Sequence, residues 1–221
     1  METRLYRDRF DAGKRLAGLL GAYAHRQDVL VLALPRGGVP IAFEVAKALN
    51  APLDVFLVRK LGVPGREELA MGALASGGIC VLNEDVISTL RISDQVINRV
   101  REQEQRELIR RERLYRDDRT APEVSGRVVM LIDDGLATGA SMRSAAIALR
   151  QRGPDRLMIA VPVASPSACF DLRGEVDEIV CALTPEPFYG VGYWYENFSQ
   201  TSDQEVYDLL DRAAREMHLT H

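Results

Sequence analysis

The chain has 221 residues and a net charge of −4. Its pI is near 5.5, so bulk electrostatics do not draw it to nucleic acid or to an anionic membrane. Hydrophobic residues make up 47%, enough for a real core in one large α/β domain or a domain with a small appendage. No apolar run approaches the roughly 20 residues of a membrane span, and the N-terminal stretch is charged rather than signal-like. Cys80, Cys169 and Cys181 lie far apart without metal-ligand spacing. They predict buried thiols in a reducing compartment, and hence a cytoplasmic protein.

Apolar positions from Phe10 to Tyr23 predict an amphipathic helix. Val29 to Leu34 is a continuous apolar run, the pattern of a central strand. It ends in Pro35-Arg36-Gly37-Gly38, ahead of a helix from about Val39 to Leu49. Leu53 to Val58 reads as the next strand, closed by Arg59-Lys60. Strand, loop, helix and strand make a βαβ unit, which the right-handed crossover places in a parallel sheet.

Leu61 to Gly78 is rich in Gly and small residues, with Pro64-Gly65 as a turn signal. Ala70 to Leu74 and Ile79 to Leu82 can pair as a hairpin around Ser76-Gly77-Gly78. Asp85 to Asp118 is helical in pattern, Arg- and Glu-rich from Arg99, with a narrow stripe of Ile97, Val100, Leu108 and Tyr115. Mixed charge of this kind reads first as a solvated helix face.

Val128 to Ile132 is five apolar residues in a row, followed by Asp133-Asp134, then Gly135-Leu136-Ala137-Thr138-Gly139-Ala140-Ser141, then a helical pattern from Met142 to Arg150. A turn feeding a helix N-terminus leaves backbone N–H groups facing an anion, and the helix dipole favours a phosphate. Thr138 and Ser141 add hydroxyl donors. Asp133 and Asp134 repel phosphate by themselves. Acids beside an anion cradle suit a ligand with a phosphate and hydroxyls, or a phosphate–Mg²⁺ pair; a pentose 5-phosphate answers to that description. A capping Asp at an ordinary strand–turn–helix junction accounts for one acid, not for two followed by Thr-Gly-Ala-Ser.

Arg156 to Val163 is a further strand, Ser165-Pro166 starts a helix, and Val176 to Leu183 is the last core strand. The tail from Thr184 to Phe198 is aromatic: Phe188, Tyr189, Tyr193, Trp194, Tyr195 and Phe198. Ser202 to Met217 reads as a terminal helix capped by Ser202 or Asp203. There is no Gly-x-x-x-x-Gly-Lys-Ser/Thr, which excludes a P-loop nucleotide hydrolase.

The stretch from Val128 to Ser141 resembles the phosphoribosyl pyrophosphate (PRPP) binding loop of the type I phosphoribosyltransferases: a hydrophobic strand, two acids, then Ala-Thr-Gly-x-Ser. Pro35-Arg36-Gly37-Gly38 resembles the pyrophosphate loop of these enzymes, which often holds a non-proline cis peptide. One is therefore expected within Leu34 to Gly38. The family places basic residues where Arg59-Lys60 stand, and a flexible loop that closes over the reacting centre where Leu61 to Gly78 stand. Phe188, Tyr189, Val191, Tyr193, Trp194 and Glu196 resemble the hood that covers the acceptor base in the purine enzymes. Within the family, the chain resembles the bacterial and archaeal group carrying Leu-Pro-Arg-Gly-Gly and Asp-Asp-Gly-x-Ala-Thr-Gly-Ala-Ser, which has no settled acceptor.

The resemblance implies an α/β, parallel-sheet, Rossmann-like fold with a flexible loop and a C-terminal hood. It implies one domain over residues 1–221, with a core at about 10–183, a helical insertion at about 85–118, and the hood and last helix at about 184–217. It implies a Mg²⁺-dependent transfer of the 5-phosphoribosyl group of PRPP to a nucleobase-like nitrogen acceptor, purine included, with release of pyrophosphate. Asp133 and Asp134, with Arg59 and Lys60, are the expected catalytic residues. The acids reach Mg²⁺ indirectly, through PRPP or water. A homodimer is usual in the family. Two departures bear on the acceptor: Ala137 stands where 6-oxopurine enzymes carry an acid, and Val176 to Leu183 lacks their Lys. The alternative is a PRPP- or nucleotide-sensing regulator on the same fold.

Overall fold

The computed structural model describes residues 5–117 and 119–218. Its centre is a five-stranded, all-parallel sheet of β1 (Val29–Ala33), β2 (Leu53–Val55), β6 (Val128–Ile132), β7 (Arg156–Val163) and β8 (Glu178–Leu183). The strand order is β2-β1-β6-β7-β8. Both faces are covered, which is why β1 and β6 are apolar at every position. Val29, Val31, Ala33, Met130 and Ile132 enter one core, and Leu30, Leu32, Val129 and Leu131 enter the other. Helices α1 (Arg9–Leu19), α2 (Gly38–Leu49) and α7 (Asp203–His218) pack on the first face, and α5 (Ala140–Arg150) and α6 (Pro166–Leu172) contribute to the second. No helix among the described residues is long and apolar enough to cross a membrane.

Capping chemistry sets several ends. The Asp8 carboxylate accepts from Asp11 N–H at 2.8 Å at the start of α1. Ser165 Oγ accepts from Ala168 N–H at 3.1 Å at the start of α6, with Pro166 at its first position. Ser202 Oγ caps α7 through Glu205 N–H at 3.1 Å.

The region after β2 departs from the expectation. The strand expected over Leu53 to Val58 stops at Val55, and the chain leaves the sheet through Phe56 and Leu57. Leu57 is fixed by Ser76, whose Oγ accepts the Leu57 N–H at 3.0 Å and whose N–H donates to Leu57 O at 2.9 Å. A second, antiparallel sheet follows, made of β3 (Val58–Val63), β4 (Arg66–Ala75) and β5 (Ile79–Leu82) in that order. Arg59 and Lys60 therefore sit inside β3, paired with Leu74 and Ala73, and not at the end of a parallel strand. The stretch expected as a flexible loop is a hairpin turning at Pro64-Gly65. The hairpin expected around Ser76-Gly77-Gly78 is present, with β4 longer than read. Backbone pairing satisfies these small, Gly-rich residues where composition alone suggests a loop.

The helical stretch expected over Asp85 to Asp118 is made of two helices. α3 (Glu84–Leu90) ends at Arg91, which is left-handed at φ 50°, and α4 runs Asp94–Arg116. Asp118 lies outside the described residues. Ile97, Leu108 and Tyr115 are buried, as the stripe predicts, but so is Arg116. Its Nε meets Asp54 Oδ2 at 2.8 Å and its Nη2 donates to Val55 O at 2.8 Å, which pins α4 to β2.

Candidate functional site

β1 and β6 are neighbours in register, Ala33 opposite Ile132, so the loops leaving them emerge side by side at the carboxyl edge of the sheet. That edge is where open α/β sheets hold ligands. Leu34 N–H donates to Ile132 O at 2.8 Å, which fastens the two exits together. The Pro35–Arg36 peptide is cis, within the stretch where such a bond is expected. Gly37 lies against the Asp134 carboxylate, in a space that a Cβ would fill. A Cβ on Gly38 would stand 2.6 Å from Ile132 O. The 35–38 loop thus touches the paired acids only because it has no side chains there.

Asp133 Oδ1 accepts Asp134 N–H at 2.8 Å. Burial, reinforced by the Asp134 charge, pushes the Asp133 carboxyl well above the usual carboxylate range. Asp134 is also raised by burial, against which Arg9 acts. Arg9 Nε and Nη2 both donate to Asp134 Oδ2, at 2.9 and 2.7 Å, and Arg9 Nη1 donates to Ser199 O at 2.7 Å. The Arg9 guanidinium lies 3.9 Å from the centre of the Phe198 ring. Tyr195 OH donates to Asp134 O at 2.6 Å. Arg9 and Tyr195 are the site residues that sequence reading missed. Tyr195 stood in the aromatic tail, but nothing local to Arg9 signals its role. The N-terminal segment explains both: Tyr6 pairs with Tyr195, its N–H donating to Trp194 O at 3.0 Å and its carbonyl accepting from Glu196 N–H at 2.8 Å.

The 135–141 turn divides into a fixed half and an open half. Gly135 packs under Val191 of the tail, where a Cβ would meet Val191 Cγ1 at 2.6 Å. Leu136 is buried, and its N–H donates to Val163 O at 2.9 Å. This corrects the expectation that Leu136 offers its N–H to a phosphate: that donor is already occupied by β7. Ser165 holds the turn from below, its N–H on Leu136 O at 2.8 Å and its Oγ on Ala137 O at 2.7 Å. The N–H groups of Ala137, Thr138 and Gly139 have no partner among the described residues, and Ala137, Thr138, Ala140 and Ser141 are exposed. Gly139 is left-handed at φ 71° and leads into the first turn of α5. An open row of donors at a helix N-terminus is an anion cradle.

The basic residues separate. Arg36 reaches outward to Asp203 of α7 at 3.8 Å, where Tyr115 OH also donates, at 2.5 Å. Arg59 is held by Glu104 of α4 at 2.6 Å. Lys60, its neighbour on β3, makes a loose 3.5 Å pair with Glu68 and lines a hollow with Ala140, Ser141 and Ser144 of α5. Alternation along a strand turns consecutive side chains to opposite faces, so only Lys60 is brought to the turn. In the tail, Val191 reaches the turn, Tyr189 and Tyr193 are exposed with their rings tilted against each other at 5.1 Å, and Phe188 and Trp194 pack on the core. Trp194 Nε1 is buried and makes no hydrogen bond among the described residues. Glu196 is exposed, beyond Tyr195. Among the described residues no cluster of three or more His, Cys, Asp or Glu forms a metal cage.

The phosphoribosyl transferase domain family matches residues 4–187. Two Mycobacterium tuberculosis proteins, from strains H37Rv and CDC 1551, named provisionally as phosphoribosyl transferases, are each 45% identical over 213 residues, 96% of this chain. That aligned region is 48% of their length, so the chain spans about half of the curated relatives it matches. The crystal structure of TT1426 from Thermus thermophilus is 42% identical, covers 93% of this chain and 97% of its own, and superposes with a TM-score of 0.82. On these grounds the chain belongs to the phosphoribosyl transferase domain family.

Proposed function

We propose that this chain is a Mg²⁺-dependent phosphoribosyltransferase that moves the 5-phosphoribosyl group of PRPP to a nitrogen acceptor. One observation carries the reading: two adjacent acids following β6 stand between an open row of turn N–H groups and a cis-peptide loop in contact with the second acid. The 5-phosphate lies on the N–H groups of Ala137 to Ser141 with the Thr138 and Ser141 hydroxyls. Asp133 and Asp134 accept the ribose hydroxyls. Gly37, Gly38 and Lys60 face the pyrophosphate, flanked by Arg36, whose side chain is turned to Asp203, and by Arg59 on its Glu104 tether.

Two carboxylates beside an anion cradle fit Mg²⁺, which keeps several waters and binds through one or two acids plus substrate phosphates. When bound, the ion neutralises charge on the departing pyrophosphate. The chain's own residues position the sugar and stabilise charge, so no nucleophilic side chain is needed. The acceptor lies under Val191, Tyr189 and Tyr193, whose rings stack on a flat heterocycle for roughly 1–3 kcal/mol per base. Ala137 argues against a 6-oxopurine, since no acid stands there to handle a base proton.

The test is a panel of nucleobases and other nitrogen heterocycles with PRPP and Mg²⁺, followed by pyrophosphate release. Asp133→Asn with Asp134→Asn abolishes turnover on this reading, and unchanged turnover rejects it. The Arg59–Glu104 pair, which holds one of the expected catalytic cations away from the turn, favours a second reading, a PRPP- or nucleotide-sensing regulator. Calorimetric PRPP binding without pyrophosphate release from any acceptor selects that one.

A further inference from the structure

The two sulfurs of Cys169 and Cys181 are 2.9 Å apart, and both cysteines are free thiols. Cys169 is on α6 and Cys181 is on β8, two elements of the second core packed against each other through half-buried side chains. A thiol is only a weak hydrogen-bond donor and acceptor, and this separation is inside the van der Waals contact of two sulfur atoms. A disulfide needs about 2.05 Å, so the two atoms are less than about 1 Å from bonding distance.

The place of the pair in the fold gives it a consequence. Helix α6 is the support of the 135–141 turn: Ser165 at its cap bonds Leu136 and Ala137, and Ala168 and Leu172 lie beneath Gly139. We propose that Cys169 and Cys181 form a reversible modification site, an intrachain disulfide that clamps α6 to β8 beneath the turn. The oxidant is a peroxide. One thiolate attacks the peroxide O–O bond; an S–O bond forms, the O–O bond breaks, and the released oxygen leaves as water after protonation. The second sulfur then attacks the resulting sulfenic acid; the S–S bond forms, the S–O bond breaks, and the second thiol's proton leaves in another water. Two thiols are oxidised by two electrons and one hydrogen peroxide is reduced to two waters. A dithiol reductant reverses the bond by thiol–disulfide exchange.

Burial in apolar surroundings pushes the Cys181 thiol up, with the neighbouring Cys169 adding to it. The reaction is therefore slow at neutral pH and selective for a resolving partner already in contact. Cys80 is on β5 in the other sheet and serves as an internal control.

The experiment treats the chain with hydrogen peroxide, alkylates it under denaturing conditions and maps the peptides. The expected result is a Cys169–Cys181 linked pair two hydrogens lighter, restored by dithiothreitol, with Cys80 alkylated as a thiol. Oxidised protein melts about 5 °C higher than reduced protein, and the Leu136 and Ser165 amides exchange more slowly. Cys181→Ser leaves Cys169 as a sulfenic acid that dimedone traps. Should that variant not fold, the wild-type map decides alone. Cys169 and Cys181 remaining alkylatable while added glutathione is fully oxidised overturns the site. A bond that forms without slowing Leu136 and Ser165 exchange overturns the clamp. None of these readouts uses PRPP, so they stand apart from the proposed transferase activity.

Discussion

Arg9 grips one oxygen of Asp134 with two nitrogens across 125 positions of sequence, and the pair is about nine-tenths buried on the Arg9 side. This contact ties the start of α1 to the acid that the 35–38 loop touches. It leaves the other Asp134 oxygen without a bond from Arg9, so one carboxylate is both anchored and available. Arg9→Ala removes the cation paired with Asp134 and costs about 3 kcal/mol, because a part-buried charge loses its partner. Arg9→Lys keeps the charge but loses the second bond and costs about 1 kcal/mol. Denaturant unfolding of the two variants checks the order. Equal losses reject the two-point grip.

Asp133 makes a prediction about pH with a definite sign. Its folded carboxyl is raised above the unfolded value by burial and by Asp134. The folded state therefore binds the proton more tightly, and the associated stability is present at low pH. It is lost as pH rises from the ordinary carboxylate range, about 4, through the folded value. Asp133→Asn carries no such charge. The expected outcome is a variant that melts close to wild type near pH 4 and above it at pH 7, while losing PRPP turnover. A variant less stable than wild type at pH 7 overturns this, since it means Asp133 is held by more than the Asp134 N–H.

How much of this was legible depends on range. The parallel sheet is readable because β1, β6 and β7 are buried on both faces, and short apolar runs rich in Val and Ile between turn residues fit such strands. The turn at 135–141 was readable because its residues are consecutive and act on each other. Nothing local shows that the Leu136 N–H is already taken, because its partner, Val163, is on β7 and far along the chain. Arg9 was invisible for the same reason: an Arg in a charged N-terminal stretch reads as solvated until Tyr6 and Tyr195 pair. Arg116 hid in a run of mixed charge because the acid that buries it, Asp54, is 62 positions earlier. The β4–β5 hairpin is legible from its turn residues, whereas β3 and the start of β4 hide in a Gly-rich stretch, because small residues satisfy backbone hydrogen bonds as well as a Val-rich strand but without a strand's composition.

Gly37 and Gly38 separate a functional glycine from a structural one. A Cβ on Gly38 meets backbone, Ile132 O at 2.6 Å and the Asp133 Cα at 3.0 Å, neither of which can step aside. Gly38→Ala therefore costs about 2 kcal/mol in unfolding. A Cβ on Gly37 meets the Asp134 side chain, which can turn, but only by leaving its place at the site. Gly37→Ala costs less than about 1 kcal/mol and weakens PRPP by about tenfold or more. Unfolding curves and PRPP titrations of both variants give the comparison, and a Gly37→Ala protein with full affinity sinks it.

Lys60 and Arg59 are neighbours on β3, and the geometry predicts different consequences for each. Lys60 is half exposed, loosely paired with Glu68 and beside Ala140 and Ser141, so its charge is free to meet a phosphate group of PRPP. Removing a charged hydrogen-bond donor from a phosphate costs about 1.5 kcal/mol, or roughly tenfold in affinity. Lys60→Ala is thus expected to weaken PRPP by about that factor, with little change in stability. Arg59 is already engaged by Glu104 at 2.6 Å in a partly exposed pair. Arg59→Ala loses a pair of about 1 kcal/mol or less and leaves PRPP affinity within about twofold of wild type. Glu104→Gln frees Arg59 and provides the control. If Arg59→Ala proves as damaging to PRPP binding as Lys60→Ala, Arg59 leaves Glu104 when the ligand arrives, and the β3 hairpin has to move to let it.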